Sequence, residues 1–100
     1  MPTQFRFTAS LWEHEGEAAW FFASLPESVS DDIADQQGPH RRGFGSVRVS
    51  VTVGSTTWKT SVFPDSKRKT YILPVKKAVR TAERLTTDTP VAFALALIDE

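Results

Sequence analysis

The sequence predicts a mainly β protein, a small closed or split six-stranded barrel with two short helices. Two observations lead to this fold class: apolar and polar residues alternate with period two in several short segments, and proline or glycine separates those segments. Six strands in a chain of 100 residues close most economically into a barrel, because closure removes the exposed edges that promote aggregation. An open sandwich is the alternative architecture. We expect one domain over residues 1–100.

The first two strands are predicted on either side of a hairpin tip at Gly16. Before the tip, the apolar residues of one parity are Phe5, Phe7, Ala9 and Leu11. Their alternation with polar residues is typical of a half-buried strand. After the tip, AAWFFASL is apolar on both parities, as in a strand covered on both faces. We therefore expect Trp20 and Phe22 in the core.

A short helix and the clearest hairpin follow. Leu25-Pro26-Glu27 predicts a helix start, because proline fits the first turn and an acid there meets the positive end of the helix dipole. The residues predicted to form its buried stripe are Val29, Ile33 and Ala34. The segment QQGPHRRG ends the helix as an exposed loop. A turn at Gly54-Ser55 then joins two strands with inward residues Val47, Val49, Val51, Val53, Trp58, Thr60 and Val62.

The last three elements follow the turn PDSKRK. KTYILP predicts a fifth strand, and a helix begins after its proline. The residues at the spacing of one helical face are Val75, Ala78, Val79, Ala82 and Leu85. In the final strand, VAFALALI, large apolar residues alternate with alanine. The small alanines predict close packing of that face against another layer.

The composition is that of an ordinary globular protein. With 40% apolar and 24% charged residues, the chain lies far from the disordered class. It has no cysteine, which excludes disulfides and thiolate metal sites. No segment has the features of a secretory leader or approaches the roughly 18 uninterrupted apolar residues of a membrane span. We predict a cytoplasmic protein that does not associate with a membrane and holds no metal or cofactor.

The 12 basic and 12 acidic residues cancel in number but are unevenly distributed. Seven acidic residues precede residue 41, and 11 basic residues follow residue 40. Such asymmetry can give a basic face for an anionic partner, whereas a fold that interleaves the two halves would cancel it. We favour the second interpretation.

Four landmarks occur in a fixed order: an aromatic second strand ending in LP, then VRVSVTVGSTTWKTSVFP, YILPVKKAVR and TDTPVAFALAL. Over nearly the whole chain, this set resembles a bacterial family of small β-barrel domains of unknown function. The resemblance implies a six-stranded barrel and no established activity. Members of that family occur alone or ahead of a helical bacteriocin-protection (OmdA-like) domain. Since the last predicted strand ends near Ile98, we expect the barrel domain alone here.

The family pattern has glycines in the turn after the fourth strand and a Gly-Asp pair before the last strand. Here these places read PDSKRK and TTDT, so Asp88 matches and Thr87 stands where the pattern has glycine. The resemblance therefore does not fix the geometry of either turn.

The segment from Ile72 to Leu95 is also similar to the strand–helix–strand element of AbrB-type transcription regulators. Those regulators build a DNA-binding barrel from two swapped chains, each of which supplies one such element. This chain has one element and four further strands. The likeness therefore implies shared barrel geometry, and no DNA-contacting residue is carried over from it.

The sharpest functional hypothesis is a basic site for an anionic ligand, centred on the helix after ILP. The residues of this predicted site are Lys76, Lys77, Arg80, Arg84, Lys67 and Arg41. Helical geometry gathers the four from the helix on one side, while the other two join them only if the fold brings their loops close. With Glu83 as the single nearby acid, such a face would attract phosphate. The competing and commoner interpretation is a helix that turns its cations outward for solubility.

Other chemistry has less support in the sequence. Binding of single-stranded nucleic acid also needs aromatic platforms, and the best candidates at outward positions are Trp12 and Tyr71. We expect each of them to pack against the protein rather than to stack on a base. His14 and His40 are not spaced as metal ligands on one helix, and no serine lies in a nucleophile-elbow sequence. We therefore do not predict an enzyme.

The sequence thus predicts a non-catalytic binding or interaction module for an unknown anionic ligand or a protein partner. A less favoured alternative is a nucleic-acid-associated, AbrB-like regulator that uses the basic helix face. A monomer and a homodimer both remain open, the homodimer because exposed barrel rims and the apolar last strand offer a surface for pairing.

Overall fold

Six antiparallel strands close into a barrel, and two helices pack on it. The computed structural model describes residues 4–14, 16, 20–37 and 45–98. The elements are β1 (Gln4–His14), β2 (Trp20–Ser24), α1 (Glu27–Gln37), β3 (Val47–Val53), β4 (Thr56–Asp65), β5 (Thr70–Pro74), α2 (Lys77–Glu83) and β6 (Pro90–Leu97). The strand order around the barrel is β1-β2-β5-β4-β3-β6. The predicted fold class is confirmed, and the barrel is closed.

Alternate residues of the strands fill the barrel interior. β3 is the clearest case, because its four valines at 47, 49, 51 and 53 are all buried, as the period-two pattern predicts. Phe7 of β1 and Phe93 of β6 stack inside, with ring centroids 5.2 Å apart. Full burial of each such side chain contributes about 1.5–3 kcal/mol to folding. The shared apolar interior is therefore the main source of stability for this chain without disulfides.

β1 and β4 close the barrel, because each pairs with one strand over its first part and with another over its last part. Residues 4–10 pair with β6, and residues 11–14 pair with β2. β5 continues the sheet from β2 to β4 through short ladders. The hydrogen bond from Val75 N to Phe21 O, at 2.9 Å, extends the contact between β2 and the chain that follows β5.

The predicted core positions in β2 are wrong. Trp20 is 54% exposed, and Phe22 is half-buried on the outer side of the barrel, whereas Ala23 is fully buried. The hydroxyl of Ser24 shares their parity and accepts a hydrogen bond from Trp12 Nε1 at 3.0 Å outside the barrel. Turning Trp20 and Phe22 inward would bury that hydroxyl in an apolar interior, at a cost of roughly 1–3 kcal/mol if unpaired.

The two helices lie at opposite ends of β4. In α1, the buried hydroxyl of Ser30 accepts a hydrogen bond from Tyr71 N at 3.0 Å, and Tyr71 pairs with Pro64 near the end of β4. In α2, the carboxylate of Glu83 accepts a hydrogen bond at 2.6 Å from Oγ1 of Thr56, the first residue of β4. Each helix is therefore fixed by a polar contact to the sheet as well as by apolar packing.

Acidic and basic residues are separated between the helices. α1 carries four acidic residues and no basic residue. Residues 76–84, which contain α2, carry four basic residues and one acidic residue. Because the helices lie at opposite ends of β4, the uneven charge along the sequence is not cancelled between these two elements. The interleaving that we favoured from the sequence does not describe them.

The buried faces of the helices are narrower than predicted. In α1, Ile33 is fully buried but Ala34 is exposed. In α2, Val79 is buried, whereas Ala78 and Ala82 are exposed. A helix that rests on a barrel rim covers less area than one that lies along a sheet, so fewer positions are buried. Among the described residues, none of the helices has the length and apolar character needed to cross a membrane.

The alanines of β6 are not covered by another layer of described residues, so that prediction is wrong. α1 packs against β5 and α2 against β4. Ala92 is exposed, and Ala94 and Ala96 are half-buried on the outer side of the barrel. Ala92 and Ala94 line a recess of about 430 Å³ together with Arg6 and Thr8.

The turn between β4 and β5 contains a residue in a conformation that favours glycine. Lys69 has a φ of 57°, within the segment where the family pattern has glycine. Its N–H donates a hydrogen bond of 2.7 Å to Asp65 O, which holds the turn closed. Thr87, at the other glycine position of the pattern, does not have a positive φ. In the first turn, the absence of glycine therefore places a residue with a Cβ in the left-handed conformation. In the second turn it does not.

We expect Ser30→Ala to lower the free energy of unfolding by about 1–3 kcal/mol, because the buried Tyr71 N–H would lose its partner. Urea unfolding followed by circular dichroism measures this change. Ser28→Ala is the matched control, since Ser28 lies in the same helix but is exposed. Equal changes in the two variants would contradict the role given to the Ser30 hydroxyl.

We expect Lys69→Gly to raise the free energy of unfolding by about 1 kcal/mol, because glycine adopts the left-handed conformation without the clash of a Cβ. The matched control is Lys67→Gly in the same turn, where φ is not positive. That control should leave stability unchanged or lower it. A loss of stability in Lys69→Gly equal to that of the control would show that backbone conformation does not limit this turn.

Candidate functional site

Four aromatic side chains form a line on the outer side of β1 and β2, which we call the aromatic row: Trp12, His14, Trp20 and Phe22. The register of the two strands places His14 opposite Trp20 and Trp12 opposite Phe22. The Phe22 ring lies 5.0 Å from Trp12 and 6.1 Å from Trp20, and it meets His14 edge to face at 6.4 Å. Antiparallel pairing therefore builds the row directly from the sequence of two strands.

One end of the aromatic row is covered by a cation. The guanidinium carbon of Arg68 lies 3.6 Å from the centre of the Trp12 ring. Asp65 holds Arg68 there, because its Oδ2 accepts a hydrogen bond from Arg68 Nη1 at 3.2 Å. Asp65 Oδ1 also accepts one from Lys67 N at 3.0 Å. The turn that carries these residues thus folds over the row, and together they line a recess of about 590 Å³, the turn recess.

The other end of the row opens into a basic recess of about 330 Å³. It lies between β2, the start of β4 and the start of α2, and its charged lining residues are Lys59, Lys76, Lys77 and Arg80. Trp20, Phe21 and Trp58 supply aromatic surface. Among the described residues that line this recess, none is acidic. A concave surface with this composition has a positive potential that attracts anions.

Arg80 is held in a fixed position within the basic recess. Its Nε donates a hydrogen bond to Val75 O at 3.1 Å, and its guanidinium carbon lies 3.9 Å from the centre of the Phe21 ring. Lys76 and Lys77, in contrast, are exposed and have no hydrogen bond or ion pair between their side chains and the described parts of the chain. The recess therefore combines one ordered cation with two side chains that can adapt to a ligand.

The acid of α2 does not neutralise these cations. The carboxylate of Glu83 is turned toward the β3–β4 turn, where Thr56 Oγ1 and Ser55 Oγ donate to it at 2.6 and 3.4 Å. Gly54 permits this approach, because an added Cβ there would collide with Glu83 and because its φ is 59°. Glycine at this turn thus allows the one acid of the helix to bind away from the recess.

The structure brings together only part of the predicted basic site. Lys76, Lys77 and Arg80 line one recess. Arg84 is the C-cap residue of α2, with a φ of 55°, and it lines a different depression near Gly54. Lys67 lines the turn recess at the other end of the aromatic row. Arg41 lies outside the described residues.

The aromatic row was missed because the sequence pattern of β2 was assigned to the wrong parity. Trp20 and Phe22 were predicted in the core, so their outer surface was not considered. Of the two aromatic residues that the sequence offered as candidate platforms, Trp12 belongs to the row, whereas Tyr71 is buried at 8% exposure. Ser24 was the available signal, since a polar residue two positions after Phe22 marks the outward parity of β2.

Comparison with known families agrees with the barrel. The sequence profile of a family described as "Domain of unknown function (DUF1905)" matches residues 7–95. The chain belongs to this family. The match begins in β1 and ends in β6, so it includes all or part of every strand of the DUF1905 barrel and all of β2, α2 and the basic recess between them. This result confirms the family resemblance found from the four sequence landmarks. No curated protein matches the chain.

We expect acid to release Arg68 from Trp12 in this DUF1905 domain. Desolvation acts to raise the pKa of Asp65, but hydrogen bonds from Lys67 N–H and Arg68, with the charge of Arg68, hold that pKa below its ordinary value of 3.8. Because the pKa of Asp65 is lower in the folded state than in the unfolded state, its ionised carboxylate stabilises the folded turn at pH values above the unfolded pKa. This stabilisation is lost as the pH falls through the folded pKa. The contact should therefore persist at neutral pH and weaken only below about pH 4.

Nuclear magnetic resonance measures this change, through the Trp12 Nε1–H shift followed against pH. The control is Asp65→Asn, in which the Trp12 signal should no longer titrate below about pH 4. A Trp12 titration that persists unchanged in Asp65→Asn would show that another carboxylate controls the position of Arg68.

Proposed function

We propose that this DUF1905 domain is a non-catalytic binding module that holds an anionic ligand in the basic recess. The observation that carries the proposal is the lining of that recess, in which the described residues include four basic and no acidic side chains. Clustered cations repel one another in the free protein, and a bound anion removes that repulsion. The recess therefore favours a negatively charged occupant over a neutral one.

The shape of the recess supports a ligand of appreciable size. Its volume of about 330 Å³ lies within the range of small-molecule sites, about 300–1,000 Å³. The exposed Trp20 offers apolar surface beside the cations, which is the usual combination of an apolar body with a few charged groups. Because apolar side chains fill the barrel interior, a ligand has to be held on the outside.

The proposal assigns no chemical step to this site. Among the described lining residues there is no carboxylate or histidine that would exchange a proton near neutral pH. Lysine and arginine can hold an anion by charge and hydrogen bonding alone. We propose the cytoplasm as the location, and an acidic segment of a protein partner is a second source of the same ligand chemistry.

We expect the double variant Lys76→Glu/Lys77→Glu to bind inorganic tripolyphosphate at least about tenfold more weakly, because the recess would then hold two basic and two acidic residues. Isothermal titration calorimetry at low salt measures the affinity. Both lysines are exposed, so the variant should keep the unfolding midpoint of the parent chain within a few degrees.

The matched control is Arg84→Glu, which reverses a charge on the same helix outside the recess. Its effect on tripolyphosphate binding should be small. If the control loses as much affinity as the double variant, the ligand is attracted by the helix as a whole and the recess is not its site. If the parent chain does not bind tripolyphosphate at all, the proposed function is wrong.

A further inference from the structure

The aromatic row joins the basic recess to the turn recess, whose charged lining residues are Lys67, Arg68, Glu13 and Asp65. Trp20 lines the basic recess, Phe22 lines the turn recess, and their rings lie 6.1 Å apart with planes 13° from parallel. Lys76 and Lys77 are at the Trp20 end, and Lys67 is at the other end. The outer side of the barrel therefore presents aromatic rings between a basic recess and a second recess in which Lys67 lies beside both signs of charge.

The accessible end of the row is Trp20. It is 54% exposed, although tryptophan is the side chain with the largest apolar surface to withdraw from water. At the opposite end, Arg68 already occupies a face of Trp12. A flat ligand group can therefore stack at Trp20, beside the lysines, while the covered end stays closed.

Charge and rings together select one class of ligand. A free phosphate would use the cations and leave the Trp20 ring exposed to water. A duplex keeps its bases paired inside the helix, so it too would use only the charges. A single strand carries phosphates and unstacked bases together, and proteins bind it by combining a basic groove with aromatic stacking platforms.

We propose that the anionic ligand of this domain is single-stranded nucleic acid, with a base stacked at Trp20 and phosphates bound by Lys76, Lys77 and Lys67. This inference rests on the binding function proposed above and specifies its ligand. It needs no swapped second chain, because the barrel that carries the row is closed within one chain.

The proposal predicts a defined salt dependence. Each phosphate neutralised on a single strand contributes about −0.7 to the slope of log affinity against log salt. Three lysines that each bind one phosphate give a slope of about −2. A slope near zero would contradict phosphate binding by these side chains.

The test uses fluorescence anisotropy with four labelled probes of matched charge or length. They are a thymidine oligonucleotide of about 12 nucleotides, an abasic oligomer of the same backbone, a duplex of the same length and a polyglutamate peptide. We expect the thymidine oligonucleotide to bind at least about tenfold more tightly than the abasic oligomer, because only the former has bases to stack.

Two variants locate the stacking site. Trp20→Ala should weaken binding of the thymidine oligonucleotide by about tenfold or more and leave the abasic oligomer unaffected, and Trp20→Phe should restore part of the loss. Phe63→Ala is the matched control, because Phe63 is an exposed aromatic residue of β4 at 43% exposure that lies outside the row. It should bind like the parent chain.

Each other outcome has a definite meaning. Equal affinity for the thymidine and abasic oligomers, or no effect of Trp20→Ala, would overturn the single-strand proposal and leave anion binding in place if tripolyphosphate still binds. Tighter binding of the duplex would overturn it in favour of a double-stranded ligand. Tighter binding of polyglutamate that depends on Trp20 would identify an acidic protein segment instead. Failure of every probe, tripolyphosphate included, would overturn both proposals.

Discussion

The division of β1 between two partner strands is the constraint on which the rest of this structure depends. Its first part pairs with β6 and its last part with β2, and the barrel closes because β4 is divided in the same way between β3 and β5. Parity is continuous along the strand, which keeps Phe7 and Leu11 inside and Trp12 outside. The same pairing sets Trp12 against Phe22. The inward position of Phe7 and Leu11 and the assembly of the aromatic row are therefore consequences of one register.

Two carboxylates near the proposed site, those of Asp65 and Glu83, are engaged in structural contacts. Asp65 accepts hydrogen bonds from its own turn and from Arg68, and Glu83 accepts them from Thr56 and Ser55. Asp65 holds the turn between β4 and β5, and Glu83 holds α2 against the turn between β3 and β4. Neither acid lines the basic recess. Lys76 and Lys77 thus keep their attraction for an external anion, while the acidic residues of α1 lie at the far end of β4.

Sequence reasoning predicted the fold where one parity was apolar and failed where both were. β3 alternates valine with polar residues, so its inward face was unambiguous. β2 is apolar on both parities, and only Ser24 distinguishes them. The clustering of Lys76, Lys77 and Arg80 followed from local helical spacing. Their position beside Trp20 did not, because it depends on the β2–β5 pairing, which joins residues about fifty positions apart.

Other parts of the site depend on backbone geometry that residue types do not reveal. Arg84 ends α2 in the left-handed region, which directs it to a depression separate from the one that Arg80 lines. Helical periodicity cannot predict this, because the period no longer applies once the helix ends. Likewise, Lys69 takes a conformation usual for glycine, and the resulting turn carries Arg68 onto Trp12.

The guanidinium of Arg68 also makes the two ends of the aromatic row different. It stops the line of rings at Trp12, whereas Trp20 remains open to water. A linear polymer bound along this surface would extend from Trp20 toward Trp12 and would end where Arg68 covers the Trp12 ring. The two orientations of such a chain, head first or tail first, would then differ in energy, so the barrel could distinguish the direction of a strand as well as its charge.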